Sequence, residues 1–557
     1  MCYVIMKIKL FLKKHKLLVI AIISAILCGT PFIIAAYRHS FILGDDIQTH
    51  MQRVEGMLSS YQARFFPARL HLKTLKGFAY GMGFFYPQLF LIIPVLFRIL
   101  GMNFILSTNA FMILLNILCG SSVYFCIYKI TGSTEGAFSG AILSLVSHYH
   151  LINIYYRGSM GESAVYIFIP FVILGIYEVF RDSKHGLIWM VIGISGILFS
   201  HLLSFVISII FILTILLLLL PFWIKKRNIA GNIVCALIIS AFVTSYFWLP
   251  FLEQYFSVPL FVNTGYESPY RPALRLNNVF HFVSYWWWGM PKNLMDLTYI
   301  ALPLALLGII FGKKRNRGTV LILLLTGLTG IYLSTDLFPW EKFQTIHQTI
   351  QFPWRFMILP SSLFPIIAGI STGNLPGQIT KKITSVLIFV CSIIFTFPIL
   401  NNVVENYIQL SPGYRGVQDD IGAGDYLPAG ADSREIKEQG KNILYDNGNA
   451  DFEFAYKENG FEAELTYSSK DEITVEFPFL YYKGWLSQTE DKTSIQTELG
   501  PHGLVSVHLP AEPNHRIVKI YYQKTVIQWV SELLSLFGLI CLFALLSSRR
   551  RHFNRNG

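Results

Sequence analysis

Residues 41–86 read FILGDDIQTHMQRVEGMLSSYQARFFPARLHLKTLKGFAYGMGFFY, a polar segment that follows the first apolar segment of the chain. It begins with the paired acids Asp45 and Asp46, and further ionisable side chains follow at His50, Arg53, Glu55, Arg64 and Arg69. Charged groups beside lipid-soluble sequence are costly unless they serve a cavity or a pathway. We therefore expect the chemistry of the protein here, with the remaining chain as the scaffold of a membrane-embedded cavity.

The composition indicates a polytopic membrane protein. Of the 557 residues, 53% are hydrophobic and only 14% are charged, whereas soluble proteins carry about 25% charged residues. The net charge of +12 comes from basic residues in short runs beside apolar segments. That placement follows the positive-inside rule, so we exclude a nucleic-acid-binding protein. The seven cysteines form no CxxC pair and none lies in the polar region 401–525, which argues against a disulfide framework and a zinc site.

Apolar segments predict about twelve membrane crossings of roughly 20 residues each. The first, 17–37, follows a lysine-rich N-terminus and is too long for a cleaved signal peptide. The later candidates are 104–130, 134–156, 163–180, 186–200, 201–224, 229–252, 297–312, 318–334, 355–372, 382–400 and 526–547.

The segment 84–100 is short for a crossing and contains Pro87 and Pro94, so we predict a re-entrant or juxtamembrane helix there. With that assignment, the basic connections all fall on the cytoplasmic side, at 181–184, 225–227, 313–317, 381–382 and 549–551. This topology predicts a multi-pass protein of the cell membrane with both termini cytoplasmic. The loop that carries Asp45 and Asp46 is then extracytoplasmic.

Three regions follow from this topology. Residues 1–400 form a transmembrane domain with a catalytic first external loop at 38–103, and 526–557 form the last transmembrane helix with a basic cytoplasmic tail. Residues 401–525 carry a large share of the charges. They alternate polar and apolar residues in strand-like runs at 451–458, 462–468, 472–477, 504–510 and 516–522. The predicted fold is an all-α polytopic membrane protein with a small extracytoplasmic β-sandwich-like domain.

The acid pair is the candidate catalytic group. A carboxylate near the outer interface can take a proton from an acceptor hydroxyl as a general base, or it can hold a divalent cation. A solvated acid pair without function is the plain alternative. If MQRVEGMLSSY is helical, His50 and Arg53 share a face with the acids and are directed into one site.

Charged groups on other external turns extend the candidate site. Arg157 and Glu162 flank the next external turn, where they form either part of a cavity or an interfacial ion pair. Arg355 begins a later span, so it either reaches lipid phosphate or contacts the phosphate of a lipid-linked substrate. His201 lies at a tight turn between spans and is either a site group or a cap.

Several motifs resemble a known family. GDDIQTHMQRVEGM, GFAYGMGFFYPQLFLIIPVLFRILG, YYRGSMGESAVYIFIP, SHLLS, FWLPFLEQ, QFPWRF and GAGDYLPA are similar to the bacterial 6-pyruvoyl-tetrahydropterin-synthase-related integral membrane proteins. That name is historical, and nothing in this sequence resembles a pterin enzyme. The family in turn looks like the GT-C superfamily of membrane glycosyltransferases, because an outward acidic pair follows the first span and a juxtamembrane helix starts at Tyr86. The resemblance covers roughly residues 40 to 525.

The resemblance implies a GT-C-like fold and transfer of a sugar from a polyprenyl-phosphate donor to a cell-envelope glycan or glycolipid acceptor on the outer face. Asp45 or Asp46 would be the base, the two being undistinguished, with inversion at the anomeric carbon. A divalent cation is left open, with this acid pair as its only candidate ligands. Substrate-binding roles fall to His50, Arg53, Tyr86, Arg157, Glu162, His201 and Arg355.

Two other functional classes fit parts of the sequence. A lipid or polysaccharide transporter would use charges deep in the later spans more than Asp45 and Asp46. A non-catalytic envelope-assembly factor would bind glycan or a partner through the 401–525 domain and would not need the acids.

Overall fold

The computed structural model describes residues 15–72, 74–183, 185–223, 226–263, 273, 296–409, 421, 424–440, 445–446, 450–457 and 460–553. The lysine-rich residues 1–14 and most of the aromatic loop 264–295 lie outside this range. The α-helices in the described residues are α1 Lys16–Cys28, α2 Thr30–Tyr37, α3 Ile47–Gln62, α4 Met82–Phe85, α5 Ile92–Ile99, α6 Phe104–Thr131, α7 Thr134–Leu145, α8 His148–Leu151, α9 Met160–Val179, α10 His185–Ser200, α11 Leu202–Leu218, α12 Leu220–Trp223, α13 Arg227–Ser257, α14 Ala301–Phe311, α15 Lys314–Ser334, α16 Gln344–Ile350, α17 Ile358–Asn374, α18 Gln378–Asn406, α19 Ser433–Gln439 and α20 Val526–Phe553.

The chain is a multi-pass membrane protein. Seven helical segments are long and apolar enough to cross a membrane: α6, α9, α13, α15, α17 with the turn before it, α18 and α20. The bent pair α1–α2, with 48° between its halves, would make eight. The prediction of about twelve crossings is therefore not confirmed.

The remaining predicted spans are helical but short. The longest single helix among them, α11, has 17 residues, and at 1.5 Å per residue it covers about 25 Å of a hydrocarbon core about 30 Å thick. The predicted span 134–156 is interrupted after α7 at Val146 and Ser147 and continues as α8 and a π-helical turn, Ile152–Tyr156. The break falls where the polar residues Ser147, His148 and His150 interrupt the apolar run.

Helix α17, with the 3-10 turn Pro353–Met357 before it, is the centre of the bundle. Every residue from Pro353 to Asn374 is buried. It packs against α7 through small residues, because a side chain at Gly136 would come within 2.4 Å of the Gly369 carbonyl oxygen. Close backbone approach at small residues is how helices associate in membranes, where no hydrophobic force acts between them. The buried turn therefore presents Arg355 at a fixed position.

The segment from 63 to 103 folds back over one end of the bundle. It contains α4, a 3-10 turn at Leu89–Leu91 and α5. The continuous helical part, Leu89–Ile99, is about half as long as a crossing requires. Its loop residues Phe78 and Tyr80 belong to the same buried cluster as the strands near the C-terminus.

The C-terminal part forms two antiparallel sheets. The strands are β1 Phe41–Ile42, β2 Ile408–Gln409, β3 Tyr445–Asp446, β4 Asp451–Tyr456, β5 Glu462–Ser469, β6 Ile473–Leu480, β7 Trp485–Thr489, β8 Ser494–Ile495, β9 Thr497–Leu499, β10 Leu504–Leu509 and β11 Glu512–Tyr522. The sheet orders are β3-β6-β10-β9 and β4-β5-β11-β7-β8, and β1 pairs separately with β2. The five strand positions predicted from alternation are confirmed.

The two larger sheets share one core. Phe454 of one sheet lies 5.8 Å, ring to ring, from Phe477 of the other, and Phe479 stacks on Trp485 at 4.4 Å. This unit sits on the loop that closes the bundle, since the Leu480 amide donates to the Phe78 carbonyl at 2.9 Å. The sheets therefore cover the same end of the bundle as the polar segment 41–86.

Candidate functional site

A cavity of about 510 Å³ lies at the end of the bundle that the sheets cover. Helices α9 and α11 and the turn before α17 begin there, and α13 ends there. Seven of the nine site residues that the sequence predicted line this cavity: Asp46, His50, Arg53, Tyr86, Arg157, His201 and Arg355. The other two, Asp45 and Glu162, do not line it.

Asp46 is held at the cavity by Arg157. The Asp46 Oδ2 atom lies 3.0 Å from Arg157 Nη2, and the Asp46 side chain keeps 40% of its surface exposed. The Asp46 amide donates to the Arg157 carbonyl at 2.7 Å. Two glycines allow this approach: a side chain at Gly44 would come within 2.7 Å of the Arg157 backbone, and one at Gly158, which has φ +63°, would meet Ile47 at 2.6 Å.

Glu162 lies behind Arg157, on the first turn of α9. Its Oε2 atom accepts from Arg157 Nη1 at 2.7 Å, and Tyr149 donates to its Oε1 atom. Arg157 Nη1 also donates to Asn153 Oδ1 at 2.7 Å. The buried Glu162 thus holds the Nη1 atom of Arg157, and the Nη2 atom contacts Asp46. The sequence left open whether Arg157 and Glu162 belong to a cavity or form a structural ion pair. In the structure, Arg157 lines the cavity and also forms a buried ion pair with Glu162.

Asp45, one residue earlier, makes a different backbone contact. Its amide donates to the Tyr156 carbonyl at 3.4 Å. The Leu43 amide donates to the Tyr407 carbonyl at 2.9 Å, so the loop that carries Asp45 runs beside Tyr407. Burial, and after it the Asp45 charge, raise the pKa of Tyr407. The two adjacent acids therefore differ in position, and only Asp46 lines the cavity.

Arg53, His50 and Tyr86 form a cluster on the wall made by α3, confirming the prediction that this segment is helical. The Arg53 guanidinium lies 4.0 Å from the centre of the Tyr86 ring, and Arg53 Nη1 donates to His50 Nδ1 at 3.0 Å. Burial and the Arg53 charge lower the pKa of His50 well below its ordinary value, so His50 is neutral and can accept. Burial lowers the pKa of Arg53 to about 10, which still leaves it charged at neutral pH.

His201 and Arg355 complete the polar wall. His201 caps α11, because its Nδ1 atom accepts from the Ser204 amide at 3.1 Å, and its ring lies 5.7 Å from that of Tyr86. Arg355 Nη1 donates to the Ile350 carbonyl at 2.8 Å and to Gln351 Oε1 at 3.0 Å. Within the described residues, neither Arg355 nor Arg53 has a carboxylate at ion-pair distance.

The sequence prediction missed Asp425 and Tyr426, which line the cavity from above. They lie on residues 424–429, a segment that we call the strap. The strap contacts the chain that follows α13, because the Phe261 amide donates to the Leu427 carbonyl at 2.8 Å. The Tyr426 ring stacks on Phe85 at 4.9 Å. Burial raises the pKa of Asp425. The signal was present, because both residues belong to the motif GAGDYLPA.

The cavity is suited to an anionic ligand. Its lining carries three guanidinium groups and two acids, Asp46 and Asp425. Carboxylates neutralise the charge of one of the three guanidinium groups, that of Arg157. Guanidinium groups bind phosphate oxygens through charge-assisted hydrogen bonds. In the part of the chain that the structure describes, no three His, Cys, Asp or Glu side chains come together as a metal site requires.

We predict that His71, beneath the cavity, makes stability depend on pH. It is 1% exposed, and its Nε2 atom is 3.0 Å from Gln88 Oε1. Burial and the nearby Arg53 lower its pKa from 6.5 to about 4. Between these values the unfolded chain binds more protons, so the free energy of unfolding falls as pH is lowered, by up to roughly 3 kcal/mol for this side chain.

The measurement is the melting temperature of the purified protein as pH is lowered from neutral through 6.5 to about 4. His71→Gln retains a partner for Gln88 and should give a flatter pH profile than the wild type. Superimposable profiles would contradict the assignment to His71. His50 is retained in both proteins, so its contribution cancels.

Comparisons with known proteins find similar solved structures but no similar family or curated sequence. No protein-family model matches the chain, and no curated protein matches it. The structure is similar to the crystal structure of ArnT from Cupriavidus metallidurans bound to undecaprenyl phosphate, with a TM-score of 0.41 and 12% sequence identity. The match covers 68% of this chain and 64% of that one, so the chain spans less than two thirds of ArnT. The resemblance to the pterin-synthase-related family is thus not confirmed.

Proposed function

We propose that the protein is an inverting membrane glycosyltransferase that moves a sugar from a polyprenyl-phosphate donor to a cell-envelope acceptor at the outer face. The observation that carries the proposal is the cavity itself. One carboxylate, Asp46, faces guanidinium groups at Arg53 and Arg355 that have no acid partner among the described residues. Base and phosphate-binding groups then share one chamber at the membrane interface. The class of donor rests on the motif resemblance.

The proposed reaction is a single displacement. The acceptor oxygen forms a bond to the anomeric carbon while the bond between that carbon and the donor phosphate oxygen breaks. The acceptor proton passes to Asp46, and the electron pair leaves with polyprenyl phosphate. Negative charge grows on the leaving phosphate in the transition state, where Arg53 and Arg355 would stabilise it. Asp46 would act as the general base.

In this proposal, the strap and the sheets bind the acceptor. Asp425 enters the cavity from the strap, whose Tyr426 carbonyl accepts from Tyr482 of the sandwich at 2.9 Å. A carboxylate there can accept hydrogen bonds from acceptor hydroxyl groups. We therefore assign the 401–525 region an acceptor-binding role.

The test is donor consumption by the purified full-length protein in lipid vesicles, supplied with a panel of polyprenyl-phosphate sugars. Release of polyprenyl phosphate with the sugar recovered on an added glycan or glycolipid acceptor, and not as free sugar, would establish the transferase. Movement of the donor lipid across the bilayer without its consumption would replace the proposal with a transporter. Neither consumption nor movement for any donor would also overturn it and leave the assembly factor.

We predict that Arg355→Gln weakens the binding of undecaprenyl phosphate by roughly 10- to 100-fold, because a hydrogen bond to a charged group contributes about 1.5–3 kcal/mol. Arg317→Gln is the matched control. Arg317 also donates to main-chain carbonyls, those of Gly312 and Ile310, but it does not line the cavity. The measurement is the dissociation constant by titration of each variant with the lipid. Equal weakening in both variants would indicate a non-specific loss of charge.

A further inference from the structure

A second cavity lies at the opposite end of the same helices. It has a volume of about 330 Å³ and is lined by faces of α9, α11, α13 and α15. Helix α9 begins three residues after Arg157, runs for 20 residues and ends just before Arg181. At 1.5 Å per residue its length is about 30 Å, the thickness of a hydrocarbon core. The two cavities therefore lie at opposite membrane interfaces.

The walls of this second cavity are apolar and open towards lipid. Ile176, Ile215 and Ile322 contribute from three of the helices. Next to these walls, Leu217 and Leu321 are 67% and 45% exposed, as side chains in contact with acyl chains are. The groove is thus continuous with the hydrophobic surface of the bundle.

The rim of the groove is basic. Arg181 and Lys226 both line it at the interface end. The Arg181 guanidinium lies 4.2 Å from the centre of the Tyr177 ring. Lys226 Nζ is 3.6 Å from Asp182 Oδ2, but both side chains are more than half exposed (56% and 63%), so this pair is weak. Basic residues in the connections place this end at the cytoplasmic leaflet, where anionic lipids lie.

We propose that this groove binds one molecule of an anionic phospholipid from the cytoplasmic leaflet. An acyl chain occupies the apolar part, and the phosphate lies between Arg181 and Lys226. Charge complementarity selects the lipid class, because basic side chains between transmembrane helices attract anionic head groups. The proposal does not depend on the glycosyltransferase activity.

Two glycines give a matched pair of variants. A side chain added at Gly318 or at Gly231 would meet no atom within 4 Å, so both sites tolerate substitution. Gly318 lines the groove, whereas Gly231 does not. Gly318→Phe fills the groove without changing any charge, and Gly231→Phe is its control.

The experiment titrates the full-length protein with dioleoyl phosphatidylglycerol and with dioleoyl phosphatidylcholine and follows the bound lipid by native mass spectrometry. The wild type should bind one phosphatidylglycerol in preference to phosphatidylcholine. Arg181→Gln and Lys226→Gln should each reduce that preference about fivefold, the order of attraction of one basic side chain to an anionic surface. Gly318→Phe should lose the bound lipid, and Gly231→Phe should retain it.

Equal binding of the two lipids by the wild type would overturn the proposal, even if Gly318→Phe abolished both, because the groove would then accept any acyl chain. Phosphatidylglycerol binding that persists in Gly318→Phe would also overturn it. The two glutamine variants change exposed side chains, so they decide the question if Gly318→Phe does not fold. Melting temperatures of all four variants provide the folding control.

Discussion

Asp46→Asn is expected to lower turnover by roughly 10²- to 10⁴-fold, the range for loss of a general base, while donor binding remains close to that of the wild type. The substitution retains an oxygen that can accept from Arg157 Nη2 at the 3.0 Å position. It removes the carboxylate that we propose as the base for the acceptor proton. Single-turnover rates and the dissociation constant for polyprenyl phosphate should be measured on the same preparation.

Asp45→Asn is the matched control for this variant. It makes the same chemical change one residue away, near Tyr407 and outside the cavity lining. We expect turnover close to that of the wild type. Loss of turnover in Asp45→Asn with retention in Asp46→Asn would contradict our choice of base. Equal activity in both variants and the wild type would remove the acids from the mechanism.

The sequence could predict the elements but not the choice between these neighbours. Acidity, spacing and a helical pattern after Asp46 are local properties, and the helix that they predicted is present as α3. Which acid enters the cavity depends on how the loop packs against Arg157, where Gly44 and Gly158 permit close backbone contact. Because that contact joins distant parts of the chain, it cannot be predicted from the local sequence pattern.

Asp425 was missed for a related reason. It enters the cavity only because the strap is bound to the residues after α13, where the Val262 amide donates to the Asp425 carbonyl at 3.1 Å. The alternating strands that follow it were predictable, since alternation is local. Their position over the membrane helices was not, because it depends on a core shared by the strands and residues such as Phe78 and Phe84.

Glu162→Ala is expected to lower the free energy of unfolding by about 3–5 kcal/mol, because removal of the buried partner leaves the charge of Arg157 only partly compensated. Arg157 and Glu162 have side chains only 6% and 1% exposed. Asp46 continues to pair with Arg157. Because the Asp46 side chain is 40% exposed, this pair compensates the Arg157 charge less fully than the buried Glu162 does. Tyr149 also loses its acceptor. The measurement is unfolding by sodium dodecyl sulfate in mixed micelles.

Glu55→Ala provides the comparison, because it breaks a second carboxylate–guanidinium pair, the one between Glu55 and Arg98. Glu55 Oε1 lies 2.6 Å from Arg98 Nε, but these side chains are 24% and 22% exposed. Water can solvate the remaining Arg98, so we expect a cost of at most about 1 kcal/mol. The difference between the two variants isolates the effect of burial. Equal losses would contradict this account, because they would show that water reaches Arg157 through the cavity.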